Sequence, residues 1–478
     1  MLQTLKNAWK TREIRSKILF TVFILLLYRV GTVIPVPYVE ANNFAASFSG
    51  TILDYMNLLS GGSLGTATLF ALGVSPYINA SIIIQLLAVV FPNSLGKWAK
   101  EDKKKINMVT RVVTVVLAVV TAIGYYFLLA NSGSLTNAAT AGEGKAFWLY
   151  AIVIVVCYCA GASLIMWLAE RINDNGIGNG ISLILFANIV STIPSFVYNL
   201  AALVVDAFGF PKNNLMYGFL SLLFAVVLIG LLIGLIVLVI WVTGSERRIP
   251  VQYAKRVVGR KMYGGQSSNL PIKLNMTGVM PIIFASSIVS LVPTILALFG
   301  KTESSAGAGG WWARFFSTSG AVYPILLFVF IILFAYFYTQ ITFDPLEVSN
   351  NLKKQGGAIP GIRQGRPTAE YITKILTKIT FVGALFLGLI AVLPVILGPH
   401  CIQHILRWIM NGSEMASLVG DATYGSYYAS IIENSVSSLT SVFTFGGTSL
   451  LIVVGVAIET FRELEAQLTM RNYKGFLS

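Results

Sequence analysis

Two histidines, His400 and His404, flank Cys401, and they are the only histidines in the 478 residues. At i and i+4 they would share one helix face and could hold a metal ion. No acidic partner stands close by to complete a ligand set, so no metal site is read here. The run Gly176–Gly180 (GIGNG) has the composition of a phosphate loop, but it lacks the dinucleotide spacing and a preceding strand. It reads instead as a tight turn between two apolar segments. Cys157 and Cys159 are two residues apart in an apolar stretch, so they point to different sides and read as small packing residues. Arg29 is essentially the only ionisable residue in the interior of an apolar stretch, with Arg111 near the end of another. A structural role, holding its segment against neighbours or against helix carbonyls, suits it better than catalysis. No catalytic constellation and no cofactor site emerge, and the chain is read as a non-enzyme.

The elements around these residues are set by composition. The chain is 55% hydrophobic and 11% charged, against about 25% charged residues in a soluble domain. Three cysteines exclude a disulfide scaffold. This is the composition of a polytopic membrane protein. Ten stretches long and apolar enough to cross a hydrocarbon core lie near 18–34, 76–92, 106–130, 147–169, 180–204, 214–243, 277–299, 320–342, 375–398 and 443–461. The first is followed by Pro35-Val36-Pro37 without a small-residue cleavage site, so it is expected to remain as a span.

Net charge is +14, and its distribution sets the topology. With the N-terminus cytoplasmic, the external loops hold only Lys145, Lys212, Lys301, Arg314 and Arg407. Apart from Arg29, every other Lys and Arg falls inside, and both termini are predicted to be cytoplasmic. Between Tyr55 and Gly96 no residue is charged, yet the basic clusters Lys6–Lys17 and Lys97–Lys105 both belong inside. An even number of crossings must separate them. The Gly-rich segment around 52–70 therefore enters without crossing, surrounded by protein or a water-filled cavity, or else lies on the surface as an amphipathic loop.

An internal repeat relates the second and seventh spans. Gly73–Ile83 (GVSPYINASII) and Gly278–Ile288 (GVMPIIFASSI) share their Gly, Val, Pro, Ile, Ala, Ser and final Ile. Each begins the second span of a five-span half, and five is odd, so the halves must be inverted. Inverted repeats place a substrate path at their interface. Small residues let the two helices approach closely, and few polar interlocks would let them part sideways. Asn79, Gln85 and Asn275 are placed to latch that seam, or equally to make ordinary interhelical hydrogen bonds.

Two cytoplasmic loops are longer than topology requires. Residues 244–275 carry Arg247, Arg248, Lys255, Arg256, Arg260, Lys261 and Lys273 against Glu246 alone, and 343–379 carry six more basic residues among glycine and proline turns. Long loops with fixed turn chemistry are usually functional. Their charge would suit RNA phosphates, an acidic protein or lipid headgroups.

Six stretches resemble the SecY family, the channel-forming subunits of bacterial protein translocation, in the family's order: 60–87 (SGGSLGTATLFALGVSPYINASIIIQLL), 166–182, 246–261, 275–288, 351–365 and 445–454. The resemblance implies an all-α polytopic membrane protein. Its ten transmembrane helices would form two inverted halves, 1–213 and 214–478, with a plug at about 52–66. It implies a pore ring of Val74, Ile78, Ile181, Leu185, Ile283 and Ile452, six aliphatic side chains forming a dry, deformable gasket. It implies a lateral gate between the second and seventh helices. Arg247, Arg248, Lys255, Arg256, Arg260, Lys261 and Arg363 resemble the residues that engage the ribosome or the SecA motor.

Small subunits resembling SecE and SecG, client signal sequences and membrane lipid are the other implied partners. The implied location is the bacterial cytoplasmic membrane. About 45 external residues, 399–444, depart from the family pattern as an insertion. A small-solute secondary transporter built on inverted repeats is the rival reading. The scarcity of buried charge and the long basic loops weigh against it.

Overall fold

The computed structural model describes residues 2–40, 52–91, 95–135, 145–209, 214–253, 256–258, 261–263, 267–298, 322–397 and 447–470. In chain order the helices are α1 (Leu2–Lys10), α2 (Arg12–Gly31), α3 (Ile52–Leu59), α4 (Ser75–Val90), α5 (Leu95–Glu101) and α6 (Lys103–Asn131). They continue with α7 (Lys145–Asn175), α8 (Gly180–Gly209), α9 (Asn214–Gly244), α10 (Met280–Leu298), α11 (Val322–Thr342), α12 (Pro345–Lys354) and α13 (Arg366–Leu397). A last helix, α14, covers 447–470. Ten of them lie on the ten apolar stretches.

Six of the described helices are long and apolar enough to span a bilayer, and Ser75–Val90 and Met280–Leu291 are shorter apolar segments. The 16 residues of α4 reach only ~24 Å, less than a hydrocarbon core. A short helix is tolerated there because it is surrounded: α4 packs on α6, α7 and α10. The opposite case is α9, whose apolar window is only 17% buried, so most of its surface is left uncovered by the rest of the chain. Trp148 and Trp241, at opposite membrane faces in the predicted topology, are exposed, as interfacial indoles are.

One buried cluster runs through both halves, from Ile24 and Tyr28 of α2 through α4, α7 and α8 to α10, α11, α13 and α14. The segment after α3 is irregular and packs on a second cluster around Tyr125, Tyr126 and Tyr158. Its backbone is held from the side: the Tyr125 hydroxyl donates to the Leu64 carbonyl, and that of Tyr158 to the Ala67 carbonyl at 3.3 Å. Gly161 lets this segment approach, since a Cβ there would lie 2.0 Å from the Leu69 carbonyl oxygen.

The two long basic loops depart from a purely helical reading. Strand β1 (Glu246–Tyr253) pairs antiparallel with β4 (Ser267–Lys273), and β2 (Arg256–Val258) with β3 (Lys261–Tyr263). A short β5 (Gly357–Ala358), from the other basic loop, pairs with the far edge of β1, Gln252 opposite Ala358. The two loops are thus one sheet, in the order β4-β1-β5. The alternation of Ile249 and Val251 with exposed neighbours drives it. Those side chains and Ile272 pack on Leu352, Ile359, Ile372 and Leu376. Helix α13 starts at Arg366, inside the stretch expected to be loop to 379. Ile372 and Leu376 are buried one turn apart while Lys374 and Lys378 are exposed. This is an amphipathic extension that mean hydropathy does not register.

Candidate channel site

The six aliphatic residues of the expected ring come from four helices and meet in the main buried cluster. Val74 and Ile78 stand at the start of α4, one turn apart. Ile181 and Leu185 stand likewise at the start of α8, Ile283 on α10 and Ile452 on α14. Five are buried, between 1% and 4% exposed, and Ile181 is half-buried against them. Leu58 and Leu59, at the end of α3, pack on the same cluster. Helix α3 itself packs on α8 and on α10, so it bridges the two halves beside that cluster.

Local sequence fixes the starts of α4 and α10 in the same way. Gly73 (φ +58°) and Gly278 (φ +65°) are both left-handed. The carbonyl of Val74 then accepts from the amides of Tyr77 and Ile78, and that of Val279 from Ile282 and Ile283. The repeat is therefore conformational as well as sequential. It also supplies a residue that the sequence reading passed over: Val279, the counterpart of Val74, is 2% exposed in the same cluster.

The turn between α7 and α8 is built as the GIGNG run suggested. Asn173 Oδ1 accepts the Gly180 amide at 2.7 Å, and Asn179 Oδ1 accepts the Ile181 amide at 3.1 Å. A Cβ on Gly180 would sit 2.0 Å from the Ala169 carbonyl oxygen, so only glycine brings the helices this close.

The seam between α4 and α10 is a direct packing contact. Two of the three polar residues named for it bond locally. Gln85 Nε2 donates to Ser81 Oγ on its own helix at 3.1 Å, and Asn275 Oδ1 accepts from Thr277 Oγ1 at 3.4 Å. Asn79 is half-buried beside Ile78. A different amide dominates the interior. Asn188 of α8, fully buried, donates to the Tyr28 hydroxyl at 2.9 Å and to the Leu59 carbonyl at 2.7 Å. Its signal in the sequence was an isolated amide in the apolar run ISLILFANIV.

On the two long basic loops, Arg247, Arg248 and Arg363 are exposed. Arg248 pairs with Glu246 at 2.8 Å. The turn bearing Arg363 is tied down, its carbonyl accepting from Thr368 Oγ1 and that of Gly365 from Ser349 Oγ. Arg256 and Lys261 lie on the β2–β3 hairpin. Lys255, Arg260, His400, His404 and the 399–444 insertion lie outside the described residues. Burial and the nearby Arg462 push the Lys273 ammonium below its ordinary value, against the opposing pull of Glu246. Arg462 in turn donates to the Thr243 carbonyl at 3.2 Å, tying α14 to the end of α9. Among the described residues, no group of three metal-ligating side chains assembles.

The SecY family profile matches residues 68–461. The protein translocase subunit SecY of Streptomyces coelicolor is 40% identical over 489 residues, covering 100% of both chains. That of Mycobacterium tuberculosis is 38% identical over 493 residues, also covering 100% of both. Among solved structures, one described as a protein conducting channel superposes with a TM-score of 0.62 at 17% identity, covering 95% of this chain and 92% of that one. Sec61 in the canine ribosome–channel complex gives 0.57 at 17% identity, with the same coverage. With a family match over most of its length and relatives aligned from end to end, this chain belongs to the SecY family.

Proposed function

We propose that this chain forms the protein-conducting channel of a bacterial Sec translocase: unfolded polypeptides cross through it, and apolar segments leave it sideways into lipid. What supports this reading is that these aliphatic side chains from α4, α8, α10 and α14 belong to one buried cluster, against which the end of α3 packs. A constriction of side chains without formal charge or hydrogen-bonding groups resists ions when closed. It can also flex around a passing chain, since it makes no directional contact that must be broken. The α4–α10 seam is the exit. An apolar signal sequence there exchanges helix–helix packing for helix–signal packing at little net cost, because neither surface is hydrated.

Residues 1–213 and 214–478 are the two halves that separate, and the N- and C-termini face the cytoplasm with the sheet β4-β1-β5. That sheet presents Arg247 and Arg248, with Arg363 on the adjoining turn, as the docking face for the SecA motor or the ribosome. We assign the chain no catalytic step; the driving energy comes from those partners. SecE-like and SecG-like subunits complete the complex.

The test is reconstitution of the complex into vesicles with SecA, ATP and a secretory precursor. Precursor protected from protease only with ATP and an intact signal sequence supports the channel. No protected precursor, in vesicles that instead accumulate a small solute, supports the transporter reading.

A further inference from the structure

The end of α3 is held by a polar group buried among apolar side chains. Both hydrogens of Asn188 Nδ2 are committed, one to the Leu59 carbonyl and one to the Tyr28 hydroxyl. Leu59 closes α3, so its carbonyl has no partner within the helix. Just beyond it come Gly61 (φ +67°) and Gly62 (φ +88°), a backbone that L-residues with side chains rarely adopt. Two further polar atoms point at this spot. Asn188 Oδ1 and Arg29 Nη1 are both buried and both lack a hydrogen-bond partner. A Cβ on Gly61 would lie 2.8 Å from Arg29 Nη1 and 2.9 Å from Asn188 Oδ1, so the donor and the acceptor flank the same glycine.

A buried unpaired acceptor beside a buried unpaired cationic donor is an unfavourable pairing left incomplete. The two groups belong to α2 and α8, elements of the frame. Only the third party, the Ser60–Gly62 hinge with α3, lies on a segment outside the spans. Removing α3 withdraws the Leu59 carbonyl from Asn188. The amide is then free to turn toward the guanidinium.

We propose that Asn188 is the positioning residue that latches α3 into the closed channel, and that Arg29 receives the Asn188 amide when α3 leaves. This deepens the channel reading above and rests on it. The arrangement has two satisfied ends. With α3 seated, Nδ2 is bonded to the plug; with α3 away, Oδ1 is bonded to Arg29, and the vacated wall does not leave a lone amide facing the pore. Gly61 has no Cβ to crowd the two unpaired atoms, so α3 can seat beside them while the first bond holds.

The experiment uses the complete complex in planar bilayers and vesicles, comparing the unsubstituted protein with Asn188→Leu and Asn188→Asp. Leucine removes both bonds at similar volume. Aspartate cannot donate to Leu59 but pairs with Arg29, so it favours the released state. Both are expected to raise resting ion conductance about tenfold, the worth of one lost hydrogen bond. Both are also expected to pass precursors with defective signal sequences while still translocating intact ones. A second readout is alkylation of Leu58→Cys by an impermeant maleimide in a background lacking Cys157, Cys159 and Cys401, which should quicken in both variants. If the leucine variant fails to assemble, the aspartate variant decides alone. Variants that translocate intact precursor but stay as tight as the parent, with unchanged alkylation, overturn the latch and leave the channel standing. An unsubstituted complex that moves no precursor overturns the channel reading, and the latch with it.

Discussion

Gly73 and Gly278, 205 positions apart, hold the same left-handed backbone conformation at the head of the two helices that form the seam. Neither is there for want of room. A Cβ on Gly73 would lie 3.5 Å from Ser60 Cβ, and one on Gly278 would lie 3.4 Å from Glu459 Oε2. Backbone conformation is the whole requirement, and it is met twice because the chain uses one device in both halves to turn into a helix whose first turn enters the main buried cluster.

Alanine at either glycine is therefore expected to cost about 1–2 kcal/mol, the strain of a left-handed L-residue. The loss should be similar for Gly73→Ala and Gly278→Ala in heat-induced unfolding of the detergent-solubilised complex. Gly180→Ala should be far more damaging, because its Cβ would meet the Ala169 carbonyl oxygen at 2.0 Å.

The aliphatic cluster predicts a graded response to chemistry at Ile78 and Ile283, which are 4% and 3% exposed. Leucine at either position conserves volume and should cost under about 1.5 kcal/mol, with no increase in ion leak. Asparagine buries an unpaired amide at about 1–3 kcal/mol, which is relieved if water enters the constriction. Ile78→Asn and Ile283→Asn should thus raise conductance in planar bilayers while the protein remains assembled.

On the basic sheet, charge and support are separable. Arg247, Arg248 and Arg363 are exposed, so reversal to Glu should leave thermal stability within about 0.5 kcal/mol. It should weaken binding of SecA or ribosomes, with a flatter dependence on salt. Ile372→Ala strikes beneath the sheet, where the side chain is 0% exposed. It should cost about 2–5 kcal/mol and weaken the same binding by loosening β1 and β5. Pull-down across a salt series, with melting curves alongside, distinguishes the two.

The spans were legible because a run of about 20 uncharged apolar residues has few other uses. The seam was legible because Gly, Val, Pro and Ile recur in order at 73–78 and 278–283. The basic sheet was not. Its pairing of Gln252 with Ala358 joins segments more than 100 residues apart, and Pro250 and the arginines hide a short alternation of Ile249 and Val251. Nor was the importance of Asn188. A single amide in an apolar run names no partner, and its partners here are a backbone carbonyl and a tyrosine on other elements. The polar residues singled out at the seam fared differently for a related reason. Gln85 finds Ser81 one helical turn back, where helical periodicity offers a partner, and Asn275 finds Thr277 two residues on in the turn before α10.

The measurement that bears most directly on the channel itself is site-specific crosslinking at the constriction. Cysteine would replace Ile78 or Ile283 in a background lacking Cys157, Cys159 and Cys401, and a secretory precursor with a single cysteine would be stalled in transit with SecA and ATP. Adducts that require both ATP and the signal sequence are predicted at both positions, since the proposed path runs past the first turns of both α4 and α10. A complex that binds SecA and begins translocation, yet yields no adduct at either residue, would contradict the assignment of this cluster as the path.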